Sequence, residues 1–149
     1  MSKLATSVHI FYVIIVMDIV LKKLQNHKKY ENDGVMFDID DTLIRSSDDM
    51  VIKGVFKILV HAYNMGYKVI IITARPPQSE EYTRNQLQAK DIPYHALYFA
   101  PPGEKGRLKR NLNIRFVLSV GDMETDCTDS MFSLKIPRQD DPSGYFKSN

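Results

Sequence analysis

Asp38 and Asp40 stand two residues apart in Asp38-Ile39-Asp40-Asp41-Thr42, directly after the apolar run Val35-Met36-Phe37. Carboxylates beside buried chain are costly unless their charge is compensated, and a bound cation would compensate it. A solvated acidic turn would put the same residues there with no chemistry attached. A calcium loop is a third reading, since Asp38, Asp40 and Thr42 fall on alternate ligand positions. It fails because Leu43 occupies the position that needs glycine, and Asp49 stands where a glutamate must close the loop.

Three further groups carry chemistry only in combination. Thr73, followed by Ala74-Arg75, ends an apolar run and could be a plain β-branched strand residue. Lys105 opens the basic stretch Lys105-Gly106-Arg107-Leu108-Lys109-Arg110, which a solvated helix face would explain equally well. Gly121-Asp122-Met123-Glu124-Thr125-Asp126 follows another apolar run and would pass alone for an acidic turn.

The elements that must position these groups are legible from periodicity. Val35 to Ile39 reads as a short buried strand after the turn Asn32-Asp33-Gly34. Ser46 to Asp49 offers N-cap side chains to a helix in which Val51, Val55, Ile58, Leu59 and Ala62 form one stripe. Gly66 stands where a left-handed C-terminal residue belongs. Lys68 to Thr73 is the strongest strand signal, rich in β-branched residues. Ser79-Glu80-Glu81 opens a helix to about Ala89, and Ala96 to Phe99 forms a third strand. Glu104 to Leu112 forms a basic helix, Arg115 to Val120 a fourth strand, and Phe132 to Ile136 a fifth. Alternation of this kind predicts an α/β fold: a three-layer αβα sandwich, Rossmann-like, around a mainly parallel sheet. Ligands in such sheets bind beyond the carboxyl ends of the strands, at the topological switch point. The strand-end residues above therefore converge on one edge.

In that order the residues resemble the haloacid dehalogenase superfamily. Its four motifs are matched by Asp38-Ile39-Asp40-Asp41-Thr42, by Thr73, by Lys105 and by Gly121-Asp122-x-x-x-Asp126, across roughly Val35 to Pro137. Within it, Phe37 to Leu43 (FDIDDTL), Lys105-Gly106-Arg107 and Leu134 to Pro137 (LKIP) look like the acid phosphatase subfamily IIIB. The chain departs from that branch at Asp41, usually glutamate, and at Glu124, usually aromatic.

The resemblance implies a phosphomonoester hydrolase. Asp38 would be the nucleophile and form an aspartyl-phosphate, and Asp40 the general acid/base. Mg²⁺ would be held by the Asp38 carboxylate, the Asp40 backbone carbonyl and Asp122. Thr73 would bind phosphoryl oxygens, and Lys105 would add positive charge and restrain Asp38. Thr42 and Asp126 would support them, and Lys109 is the alternative lysine if the helix is one turn out of register.

Between Thr42 and Thr73, and between Thr73 and Lys105, one helix and one strand consume the chain, which leaves no room for a cap domain. An uncapped site suits a bulky phosphorylated substrate, such as a phosphoprotein or a nucleic-acid end, or closure by a second subunit of a homo-oligomer. Rival readings are a non-catalytic phosphate-binding scaffold of the same fold and a polynucleotide end-phosphatase. A receiver-like signalling domain is excluded by motif order, since Ala96 to Phe99 runs into Ala100-Pro101-Pro102 with no acid.

The 149 residues suit one core, divided as a helical segment at 1–31, a catalytic domain at 32–138 and a polar tail at 139–149. A net charge of +2 gives no reason to expect nucleic-acid binding over the whole surface. One cysteine, Cys127, cannot pair internally, and a cytoplasmic setting follows as the expectation. Val8 to Leu21 is apolar enough to suggest a short anchor or signal. At about 14 residues, with Asp18 inside it, the run falls short of the roughly 20 that a spanning helix needs. A helix packed on the domain is the favoured reading.

Overall fold

The computed structural model describes residues 3–137, with side chains from Ile14 onward. The tail expected at 139–149 lies outside the described residues. Five strands form one parallel sheet: β1 (Asp33–Phe37), β2 (Lys68–Thr73), β3 (Ala96–Phe99), β4 (Arg115–Gly121) and β5 (Phe132–Lys135), in the order β3-β2-β1-β4-β5. Every residue of β1 and all but the first of β2 are buried, which is why both read as continuous apolar runs rather than alternating ones.

The helices are α1 (Lys3–Asn26), α2 (Lys53–Asn64), α3 (Glu80–Ala89) and α4 (Lys105–Asn111). Val55, Ile58 and Leu59 of α2 and Leu87 of α3 share one core with Val35 and Phe37 of β1 and Val69 and Ile71 of β2. The opposite face of the sheet, with Met36, Ile70, Ile72 and Phe116, packs against Leu108 of α4. This division follows from topology. The chain steps outward from β1 to β3, then returns past β1 to reach β4. Right-handed crossovers put the returning helix on the other face. The reversal falls between β1 and β4, and their ends meet: Phe37 lies beside Val120, and Asp38 donates its backbone N–H to Val120 O at 3.0 Å.

The described part of α1 packs through Val16, Val20, Leu21 and Leu24 into the core shared with α2, while Ile14, Ile15 and Ile19 face outward. Among the described residues no helix is long and apolar enough to cross a membrane. A polar cluster joins α1 to the strands. Tyr67 donates to Leu24 O at 2.9 Å. Arg115 donates from Nε and Nη2 to the two oxygens of Asp33, at 2.7 Å each, and its guanidinium lies over the Tyr30 ring. These bonds from Arg115 hold the buried Asp33 carboxyl far below the usual carboxylate range, against the opposing effect of burial. A lowered carboxyl means that the unfolded chain takes up its proton first as the pH falls. Asp33→Asn should therefore cost about 2 kcal/mol at pH 7, the contribution of charge-assisted hydrogen bonds. The gap from wild type should begin to narrow below about pH 4, where the unfolded carboxyl takes up its proton, and should keep narrowing as the pH falls toward the depressed folded value. Urea unfolding midpoints measured across pH 2–8 check this.

Two local expectations are corrected. Ser46 to Asp49 does not cap α2, which starts at Lys53 with Ile52 before it and no side-chain cap. Ser46 bonds Asp41 instead, and Val51 pairs with Ile44 across a narrow loop, outside the helical stripe. Tertiary pairing has overridden the local capping signal. Gly66, by contrast, ends α2 region with a φ of 90°, the left-handed conformation for which glycine is suited.

Candidate active site

The end of β1 turns sharply: Ile39 O accepts from the backbone N–H groups of Thr42, Leu43 and Ile44. Asp41 takes a left-handed φ of 58°, which aspartate tolerates better than most residues. Asp38 stays inside this turn, 6% exposed, and accepts from Thr42 Oγ1 at 3.3 Å. Lys105, at the start of α4 and 2% exposed, donates from Nζ to Asp38 Oδ1 at 3.0 Å and to Asp126 Oδ1 at 2.6 Å. Asp126 comes from the turn after β4, which also supplies the half-buried Asp122. One carboxylate oxygen each from Asp38, Asp122 and Asp126 lies within 4.8 Å of the others.

Gly121 makes this approach feasible. A Cβ at that position would overlap the Asp126 side chain. Asp126 Oδ2 also accepts from the Met123 backbone N–H at 3.1 Å, which fixes the turn. Lys109 lies one helical turn beyond Lys105 on the same buried face of α4. Its Nζ donates to Ser119 Oγ at 2.9 Å, and to Asp126 O and Thr128 O at 2.7 Å each. Three donors meet three acceptors, and burial pushes the ammonium pKa down to about 8. Lys105 thus reaches the carboxylates, and Lys109 holds the backbone that carries one of them.

The other sequence candidates lie at the ends of β1 and β2. Thr73 is fully buried, and its Oγ1 accepts from the Arg75 backbone N–H at 3.2 Å. Asp40 is exposed on its outer side and does not join the carboxylate cluster. Both its oxygens accept from Arg75, at 2.8 and 3.0 Å. The sequence reading gave Arg75 no role. The available signal was an arginine two residues after Thr73, in the turn that follows β2, the strand beside the one whose end bears Asp38 and Asp40.

Burial, reinforced by the neighbouring Asp126, raises the Asp38 pKa, and burial raises that of Asp122. Burial alone would lower Lys105, but Asp38 and Asp126 outweigh it and raise its pKa. One ammonium faces three carboxylates, so the cluster carries two surplus negative charges when ionised. An all-oxygen donor set with that surplus suits a hard divalent cation better than a soft one. The residues therefore fit a metal site of this class.

An open parallel sheet with an acidic cluster at its switch point is a Rossmann-like α/β architecture with its ligand-binding edge marked, and known proteins share that architecture. Residues 35–98 match the family of haloacid dehalogenase-like hydrolases. No curated protein matches the chain by sequence. Among solved structures, the class C acid phosphatase from Bacillus anthracis superposes with a TM-score of 0.64 at 17% identity, covering 78% of this chain and 63% of that one. A Pnkp1/Rnl/Hen1 complex gives a TM-score of 0.65 at 18% identity, over 76% of this chain and 49% of that one. The chain thus spans about half to two thirds of the length of these two structures. Over residues 35–98 the chain is thus similar in sequence to haloacid dehalogenase-like hydrolases, and its described residues share the fold of these solved structures. Among its described residues no additional domain interrupts the strand order, in keeping with an uncapped fold.

Proposed function

We propose that the chain is a Mg²⁺-dependent phosphomonoester hydrolase working through an aspartyl-phosphate on Asp38. The observation that carries the reading is the burial of Asp38 against Lys105, with Asp122 and Asp126 gathered beside it. A carboxylate held there is desolvated and aimed, which makes it a nucleophile without a separate activating base. Its oxygen attacks phosphorus, and the bond to the leaving oxygen breaks. Asp40 gives that oxygen a proton, then takes one from the water that cleaves the acyl phosphate and regenerates Asp38. Acid/base help of this kind is worth about 10²–10⁴ in rate. Thr73 donates its hydroxyl to a phosphoryl oxygen, and Lys105 balances the charge that builds on the transferring group. Asp38, the Asp40 carbonyl and Asp122 would hold Mg²⁺, which would offset the repulsion between carboxylate and phosphate.

Among the described residues the connections above the strand ends carry no inserted domain, which suits a bulky phosphoester such as a phosphoprotein or a nucleic-acid end. The likeness to the Pnkp1/Rnl/Hen1 complex, one structure of which is described as an RNA repair complex, makes nucleic-acid ends the first to try. The reading is tested by p-nitrophenyl phosphate hydrolysis with Mg²⁺ present and after chelation. Turnover should fall to background on chelation and return when Mg²⁺ is restored. Hydrolysis that persists without any divalent ion would contradict it.

A further inference from the structure

Asp40 is clamped at both oxygens by one guanidinium, and that guanidinium is itself fixed. Arg75 donates from Nε and Nη2 to Asp40 and from Nη1 to Thr83 Oγ1 at 3.1 Å. Thr83, on α3, is fully buried, and the Tyr82 ring lies 5.9 Å from the Arg75 guanidinium carbon. Arg75 is 13% exposed, whereas the Asp40 carboxylate is 47% exposed. An ordinary surface pair has two mobile partners. Here a nearly buried base plate presents an open-faced carboxylate.

We propose that Arg75 is a positioning residue, anchored by Thr83, that fixes the Asp40 carboxyl for proton transfer to the leaving group. The inference rests on the phosphatase reading and adds to it a residue that acts through Asp40. Geometry allows the role. Each carboxylate oxygen has two lone-pair directions, and Arg75 occupies one on each. The outward direction stays available for the proton and for the leaving oxygen. Two parallel N–H···O bonds also fix the carboxyl plane, which a single lysine contact cannot do. Nε and Nη2 each give an N–H to Asp40 and Nη1 gives one to Thr83, so the guanidinium edge that faces Asp40 is fully used and one N–H is left on each terminal nitrogen.

The two roles separate on leaving groups. A poor leaving oxygen needs the proton, whereas p-nitrophenolate departs with little help. The ratio kcat/KM ends at leaving-group departure, so the later activation of water does not enter it. The experiment measures kcat/KM for an alkyl phosphate and for p-nitrophenyl phosphate, with Mg²⁺, in wild type, R75K, T83V, Asp40→Asn and the R75K/Asp40→Asn double variant. R75K should lose about 10²-fold on the alkyl ester, within the range of acid catalysis, and less than tenfold on the aryl ester. T83V should show a weaker loss with the same asymmetry. Asp40→Asn should reproduce the asymmetry, and adding R75K to it should cost nothing further. Equal losses on both esters, or additive losses in the double variant, would overturn the role while leaving the phosphatase reading intact. Wild type inactive on both esters would overturn that reading and this inference together.

Discussion

Asp38→Asn should reduce turnover of p-nitrophenyl phosphate by roughly 10⁴ or more, in line with removal of a nucleophile from a cooperating set. The amide oxygen is a poor nucleophile, and the replacement also removes one charge from the set that would hold a divalent ion. The structural cost should be small. Asp38 lies among surplus negative charge, and burial has already raised its pKa. An uncharged isostere relieves repulsion from Asp126 while it weakens the bond with Lys105, and the two effects oppose each other. Without metal, the variant should therefore melt at or above the wild-type temperature, as expected where function holds a site in an unfavourable arrangement. Thermal melts run beside the assay distinguish lost chemistry from lost fold.

Lys105→Met should act in the opposite sense on stability. Lys105 is the cation shared by Asp38 and Asp126, and all three are almost wholly buried. Its removal leaves carboxylates facing one another in a poorly solvated site. Breaking a buried pair from one side costs about 3–5 kcal/mol. For a chain of this size that lowers Tm on the order of ten degrees. A divalent ion supplies positive charge to the same place, so Mg²⁺ should return part of the loss, more than it adds to wild type. Activity should stay low, because metal charge does not replace the ammonium that restrains Asp38. Melts of both proteins over a series of Mg²⁺ concentrations check the crossover. A variant as stable as wild type would mean that Lys105 carries no charge compensation.

Much of this site was legible because the sheet is parallel. The central strands β1 and β2 are buried runs that turn polar only at their carboxyl ends, so Asp38 follows the first run, Thr73 closes the second, and Asp122 follows the largely apolar β4. Lys105 was less visible, since it opens a basic stretch whose exposed members, Arg107 and Arg110, resemble it in sequence. The choice between Lys105 and Lys109 depended on which turn of α4 faces the strand ends. Both prove buried, with different tasks. The Arg75–Asp40 clamp and the Lys109 bonds to Asp126 O and Thr128 O were not legible, because they depend on how turns pack rather than on residue spacing. The Ser46 to Asp49 cap signal misled for a related reason. Pairing of Ile44 with Val51 and the bonds of Ser46 to Asp41 recruit that segment into the turn after β1.

Carboxylates from the ends of β1 and β4 are expected to share one divalent ion. Mn²⁺ binding followed by electron paramagnetic resonance tests it without reference to any substrate. Wild type should bind one ion per chain, displaceable by Mg²⁺, and Asp122→Asn should lose that site while remaining folded. Binding unchanged in Asp122→Asn, or no binding by folded wild type at millimolar metal, would contradict the account.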